Sequence, residues 1–298
     1  DMEIAEGGVI DVRRKGYGKG QGPGAINVNG YAPSHGGRGR NLKSSDGQLC
    51  YGSIASPTNC SSGSYHDVGS GAVKLNVAGV LHHYGMINAD GQGGYGGLTL
   101  PEHYSGAGGS IWITAGDLVG SGDITATGGN YLINNPGGGG RIALILTGAE
   151  SFDNFSGRVV AHGGKNVSSP NDVAPASGAG TIYWRKAVER DIKGVVTVSN
   201  SGGRDVNINT TDIPPALHCD EREFRGFTFE VSEGATLRLQ GDATVGDVQI
   251  LDNTARLNLN GYTLTIRSRE HSFPAGTVVN YGAIIWDPVP AGTVFMLR

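Results

Sequence analysis

Four aspartates sit where acid–base chemistry could arise: Asp11, Asp90, Asp117 and Asp123. Hydrolysis of a glycosidic bond calls for two carboxyl groups about 5 to 10 Å apart on one face. Each of these aspartates lies in or beside a short run of alternating apolar residues, and the runs can be aligned. Alignment places Asp11 in a column with Asn88, Thr125 and Val160, and Asp90 in a column with Arg13, Thr127 and His162. Each column holds one carboxylate, not a pair. Solvated strand-edge residues are therefore the better reading, and no catalytic residue is assigned.

Metal and nucleophile chemistry finds equally little footing. The eight histidines are scattered, and the one adjacent pair, His82 and His83, would face opposite sides of a strand. No Gly-x-Ser-x-Gly elbow, Walker loop or dinucleotide-binding unit stands in its required context, so neither a metal nor a cofactor is expected. The Gly16-Tyr17-Gly18-Lys19-Gly20 stretch looks like a phosphate loop, but 52 glycines make such matches common and no helix follows. Cys50 and Cys60 could close a short disulfide loop in an exported chain, leaving Cys219 unpaired.

Aromatic side chains make a better binding argument. Tyr84, Tyr95, Tyr104 and Trp112 are candidate glycan contacts, because exposed rings stack on sugars or on a neighbouring subunit. For Trp112 core filling is the competing role. Asn59, Asn154, Asn166 and Asn209 each begin a glycosylation sequon, which matters only in a host with that machinery.

The elements that would have to position these groups are repeated. A glycine lead, an alternating strand, a short break, a second strand and a Gly-Gly exit recur three times: around Ile111 and Ile124, around Ile142 and Val159, and, with a looser exit, around Val73 and Ile87. Val73, Ile111, Ile142 and Ile182 occupy one position of the first strand, at intervals of 38, 31 and 40 residues by subtraction. Ile10, Ile87, Ile124 and Val159 occupy one position of the second. A strand-turn-strand unit that returns with variable loops predicts copies stacked on one another, each covering the apolar face of the last.

Composition agrees. Glycine is 52 of 298 residues, about 17% against an ordinary 7%, without the three-residue period of collagen. Net charge is −4, with no basic face for nucleic acid and no polybasic tract for an anionic membrane. No apolar run approaches the roughly 18 residues of a membrane-spanning helix. The initial Asp1 suggests a processed protein or an excised fragment.

Residues 15–70 form a long insertion of turn chemistry, expected to serve a function or to pack as a surface layer. After about Lys186 glycine thins, and strands recur near every 20 residues, as from Phe229 to Ile250 and from Leu237 to Leu257. The expected organisation is a Gly-rich part, 1–186, continued by a shorter-repeat part, 187–298, in one elongated body.

The wording of residues 108–116, 120–129 and 137–143 resembles glycine-rich segments of very large secreted or surface-anchored bacterial proteins. The stretch 258–266, Asn-Leu-Asn-Gly-Tyr-Thr-Leu-Thr-Ile, is similar to the β-solenoid repeats of those proteins and of autotransporter-type adhesin passengers. The resemblance implies an extracellular right-handed parallel β-helix with long Gly-rich loops. It brings no catalytic motif.

Both ends of the chain read as apolar strand: Ile4, Val9, Ile10 and Val12 at one, Val294, Phe295, Met296 and Leu297 at the other. Exposed strand edges recruit further strands. The expected function is thus a structural, non-enzymatic subunit of a bacterial surface filament or matrix. Copies would join head to tail or by strand exchange, with surface polysaccharide as a further partner if the fibre is adhesive. The alternatives are a carbohydrate-active β-helix, lyase or hydrolase, and a monomeric glycan-binding adhesin module.

Overall fold

The computed structural model describes residues 1–25, 31–40, 49–93, 105–130, 136–165, 177–188, 193–202, 210–215 and 221–288. Over these residues the strands, in chain order, are β1 (Met2–Ile4), β2 (Val9–Asp11), β3 (Ala72–His83), β4 (Met86–Asn88), β5 (Ser110–Gly120), β6 (Asp123–Thr125) and β7 (Arg141–Leu146). They continue with β8 (Val159–Val160), β9 (Thr181–Arg185), β10 (Gly194–Ser199), β11 (Thr210–Ile213), β12 (Phe227–Ser232) and β13 (Thr236–Leu239). The last are β14 (Ala243–Val245), β15 (Asp247–Ile250), β16 (Arg256–Asn258), β17 (Thr263–Ile266), β18 (Val278–Val279) and β19 (Ala283–Trp286). One short 3-10 helix, Glu221–Gly226, is the sole helix among the described residues, and no helix there is long and apolar enough to cross a membrane.

The strands form four sheets, nearly all of them parallel. The largest runs β1-β3-β5-β7-β9-β10-β12-β15, and a second runs β2-β4-β6-β8. Two more, β11-β13-β16-β18 and β14-β17-β19, serve the later part of the chain. Register follows the apolar alternation. Val73 pairs with Ile111, Ile111 with Ile142 and Ile142 with Ile182. Ile10, Ile87, Ile124 and Val159 form a second unbroken column. A one-residue slip would turn each column from the core to the other face, so the alternation holds the register.

In the later part Leu237 pairs with Leu257, as the spacing predicts. Phe229, however, pairs with Val248 and not with Ile250. Val248 and Ile250 lie on the same face of β15, so alternation alone does not choose between them.

One ladder breaks the parallel rule. β10 runs antiparallel to β9, with Val196 opposite Tyr183. The reversal coincides with the change of wording near Lys186, and it accompanies a change of core. Ile142, Leu144, Leu146 and Ile182 belong to a cluster with Ile4, Leu81, Ile87, Ile111 and Ile124. Ala143, Ile145 and Tyr183, facing the other way, belong to a cluster with Val196, Phe227, Phe229, Leu237 and Leu264. All six residues of β7 are buried, because it is covered on both faces.

The long insertion packs as part of this second cover. Ile54 and Ala55 rest on the Ala143 side of the large sheet. Its glycines come so near the strand-linking glycines that no side chain fits between them. A Cβ on Gly37 would lie 2.1 Å from the Gly178 carbonyl oxygen, and one on Gly36 would lie 2.1 Å from that of Gly140. Backbone amides take over where side chains cannot: Gly36 and Gly37 N–H both donate to Gly139 O at 2.9 Å.

Candidate functional site

The residues named from sequence as an assembly surface are partly brought together. Ile4 is buried at the foot of β1, and Ile10 and Val12 pack partly buried against the same cluster. Val9 points out and is 59% exposed. Among the described residues β1 and β2 are the marginal strands of their sheets, each with a parallel partner on one side only, β3 and β4 respectively. Val294, Phe295, Met296 and Leu297 lie outside the described residues. Val73 and Leu75, which no signal beyond strand position marked, join the same partly covered apolar margin.

The glycan candidates separate. Tyr84 is 44% exposed. Trp112 is half-buried, with Lys74 Nζ 3.6 Å from its ring centroid, so the chain's own cation occupies that face. Tyr95 and Tyr104 lie outside the described residues.

The carboxylates are engaged in local bonds. Asp11 accepts from Arg13, Nη2 to Oδ2 at 2.7 Å, and this hydrogen bond holds its pKa below the usual carboxylate value. Asp123 is lowered in the same way by Arg158, whose Nη2 is 2.8 Å away. Asp90 Oδ1 accepts the Thr127 N–H at 2.7 Å, and Asp117 Oδ2 accepts from Asn154 at 2.9 Å. Asp11 does share its column with Asn88, Thr125 and Val160.

His82 and His83 do take different environments. His83 is fully buried and stacks on Phe155, with Nε2 3.0 Å from the Asp123 carbonyl oxygen, to which the ring must donate. Burial lowers its pKa. Among the described residues no three His, Cys, Asp or Glu side chains are grouped to hold a metal ion.

Sequence reasoning passed over a buried polar centre under the insertion. Asp212 on β11 accepts from Arg38 Nε at 2.6 Å and from Arg238 Nε at 3.0 Å. Arg141, at the start of β7, is fully buried; its Nε donates to Tyr51 O at 2.8 Å and its Nη1 to Thr181 Oγ1 at 3.0 Å. Tyr51 donates to the Cys60 carbonyl at 2.8 Å and packs against His35, ring centroids 4.8 Å apart. His35 Nδ1 meets the Gly108 carbonyl at 2.7 Å, while burial and then the Arg141 charge push its pKa down to about 3. Cys50 and Cys60 are separate thiols, the first fully buried and pushed up to about 12 by that burial. A neutral imidazole, a protonated thiol and a carboxylate fixed between guanidiniums make a clamp, suited to pinning the insertion onto β7 and β11. A run of polar residues ahead of the first long strand gave no sign that it would be buried.

A shallow pocket of about 70 Å³ lies among Pro214, Phe224, Arg225, Asp242, Ala243 and Thr244. It has room for a few waters and is well below the size of a ligand cleft. In comparisons with known proteins, the chain matches no family model, no curated protein and no solved structure.

Proposed function

We propose that this chain is a structural, non-enzymatic subunit: an extracellular right-handed parallel β-helix whose copies join head to tail, or by exchange of strands, into a surface filament or matrix. One observation carries the reading. β1 and β2 stand at the margins of two largely parallel sheets, paired on one side among the described residues and with apolar residues beside them that are only partly covered. A strand laid along such a margin satisfies a row of backbone groups and removes apolar surface from water, at about 1.5–3 kcal/mol for each large side chain fully buried.

The local pairing of Asp11 with Arg13 and of Asp123 with Arg158 favours this reading over a hydrolase. A general acid needs a carboxyl group with a raised pKa, and both of these are lowered. Surface polysaccharide is the further partner this reading allows, with the exposed Tyr84 as its contact.

Deletion of residues 1–12 tests the proposal. Fibres of the full chain, seen by electron microscopy, should give way to a monomer. Circular dichroism must first confirm that the truncated chain keeps its β content, since Ile4 leaves the core with the deletion. Fibres that persist in a folded truncation would overturn the reading.

A further inference from the structure

Residues 16–22 and 61–69 lie side by side as one layer of the insertion. Gly16 N–H donates to Gly69 O at 2.8 Å, Tyr17 N–H to Ser61 O at 3.1 Å, and Gly20 N–H to Ser64 O at 2.7 Å. These bonds engage the amides of the stretch that looks like a phosphate loop, so its backbone is not a phosphate cradle. Ser61, Ser62 and Ser64 are buried and mark the inner side of the layer. Side chains open to water therefore stand on its outer side or its rim.

Two of them are aromatic, Tyr17 at 38% exposure and Tyr65 at 42%. Tyr17 lies against Gly22, where an added Cβ would come 2.8 Å from its Cδ2, so glycine is what leaves room for the ring. Tyr65 packs edge-on with His66, ring centroids 4.6 Å apart at 80°. Rings held in this way lose little freedom when a ligand settles on them.

The same layer gathers cations. Residues 11–22 and 61–71 hold Arg13, Arg14, Lys15 and Lys19 against Asp11 and Asp67, four positive charges less two negative, a local +2 in a chain of net −4. Arg13 is taken up by Asp11 at 2.7 Å. Arg14 reaches Asp67 only at 3.4 Å and stays 56% exposed. Lys15 and Lys19 are exposed and form no salt bridge. A loose surface pair is weak, so these three cations are open to an incoming anion.

Aromatic faces beside cations fit a sugar chain that carries negative charge. The rings take the C–H faces of pyranoses, and the ammonium and guanidinium groups take carboxylates. A nucleic acid would meet the same two features, but a chain with a pI of about 6.1 is poorly matched to a polyphosphate. We propose that Tyr17 and Tyr65, with Arg14, Lys15 and Lys19, form a binding surface for an acidic polysaccharide bearing carboxylate groups. This rests on the polysaccharide-partner part of the proposed function, and names the charge class of that partner and a contact surface besides Tyr84.

The test sets full-length chains against immobilised polygalacturonate, neutral dextran and oligothymidylate in biolayer interferometry. Polygalacturonate should bind, and more weakly as salt rises from about 0.05 to 0.5 M, while dextran and oligothymidylate should not. Lys15→Glu with Lys19→Glu should weaken binding about tenfold, and Tyr65→Ala about fivefold. Lys193→Glu with Arg269→Glu makes the same change of net charge on exposed cations outside this layer, and should bind as the parent does. Thermal melts of all variants should match the parent, since every altered side chain is exposed. Absence of polygalacturonate binding, unchanged binding in the Lys15→Glu, Lys19→Glu or Tyr65→Ala chains, an equal loss in both double variants, or equal or tighter binding of dextran or oligothymidylate would overturn the inference. Sedimentation of the same samples judges the filament reading apart from it. Polymers that ignore polygalacturonate end this inference alone, and monomers that bind it end the filament reading alone.

Discussion

Asp212 and Arg38 are 174 residues apart in the chain, and their side chains meet at 2.6 Å, almost wholly out of water. Arg238 closes on the same carboxylate from the neighbouring strand β13. Removing the carboxylate takes a shared anionic acceptor from two buried guanidiniums, the costly way to break a buried pair. Asp212→Ala should lose about 3–5 kcal/mol in urea unfolding. A loss under about 1 kcal/mol would mean that the clamp does not hold the insertion.

Stability should fall on mild acidification, and His35 should account for much of it. Its folded pKa is pushed down to about 3 from the ordinary 6.5, so between those values the unfolded chain binds a proton that the folded chain refuses. The contribution is complete above about pH 6.5 and is lost as pH falls towards 3, at about 1.4 kcal/mol per unit. His83 and His162, both lowered by burial, act in the same direction. Urea midpoints measured from pH 7 to 4 should show a shallower slope for His35→Gln by nearly one proton; an unchanged slope would contradict it.

Glycines that separate touching backbones should not accept a methyl group. Gly180→Ala places its Cβ 1.8 Å from the Gly140 carbonyl, where only backbone can give way. Its cost should be about 3 kcal/mol or more. Gly241→Ala meets nothing within 4 Å and should stay within about 0.5 kcal/mol of the parent, so paired thermal melts provide the control.

The same column should weigh differently at its centre and at its margin. Ile142→Ala should cost about 2–5 kcal/mol, while Val73→Ala should cost less than about 1.5 kcal/mol in the monomer. Equal costs in denaturant titrations would mean that β3 is covered over residues 72–78.

Thiol labelling should be ordered. Cys60 is half-buried and Cys50 fully buried with a raised pKa, so maleimide should modify Cys60 in the native state and Cys50 only after unfolding. Mapping the labelled peptides by mass spectrometry would reveal equal protection of both if they were joined.

The strand columns were legible because their signal is local: alternation within five or six residues and a glycine at each entrance. The columns of Val73 with Ile111 and Ile142, and of Ile10 with Ile87 and Ile124, follow directly. The partner of Phe229 did not, since two residues of equal character lay on the same face. The antiparallel pairing of β9 with β10 was not legible, because strands of either direction alternate alike and the change of wording near Lys186 carries no direction. The burial of His35, Arg38 and Arg141 was the least readable. It depends on contacts such as that of Arg38 with Asp212, which no window of sequence contains.

β7 lends alternate residues to two hydrophobic clusters, Leu144 to one and Ala143 to the other. Neither half of the molecule can let go of that strand without opening the other. Heat or mechanical load applied at either end should thus be met by both halves together, in a single calorimetric transition.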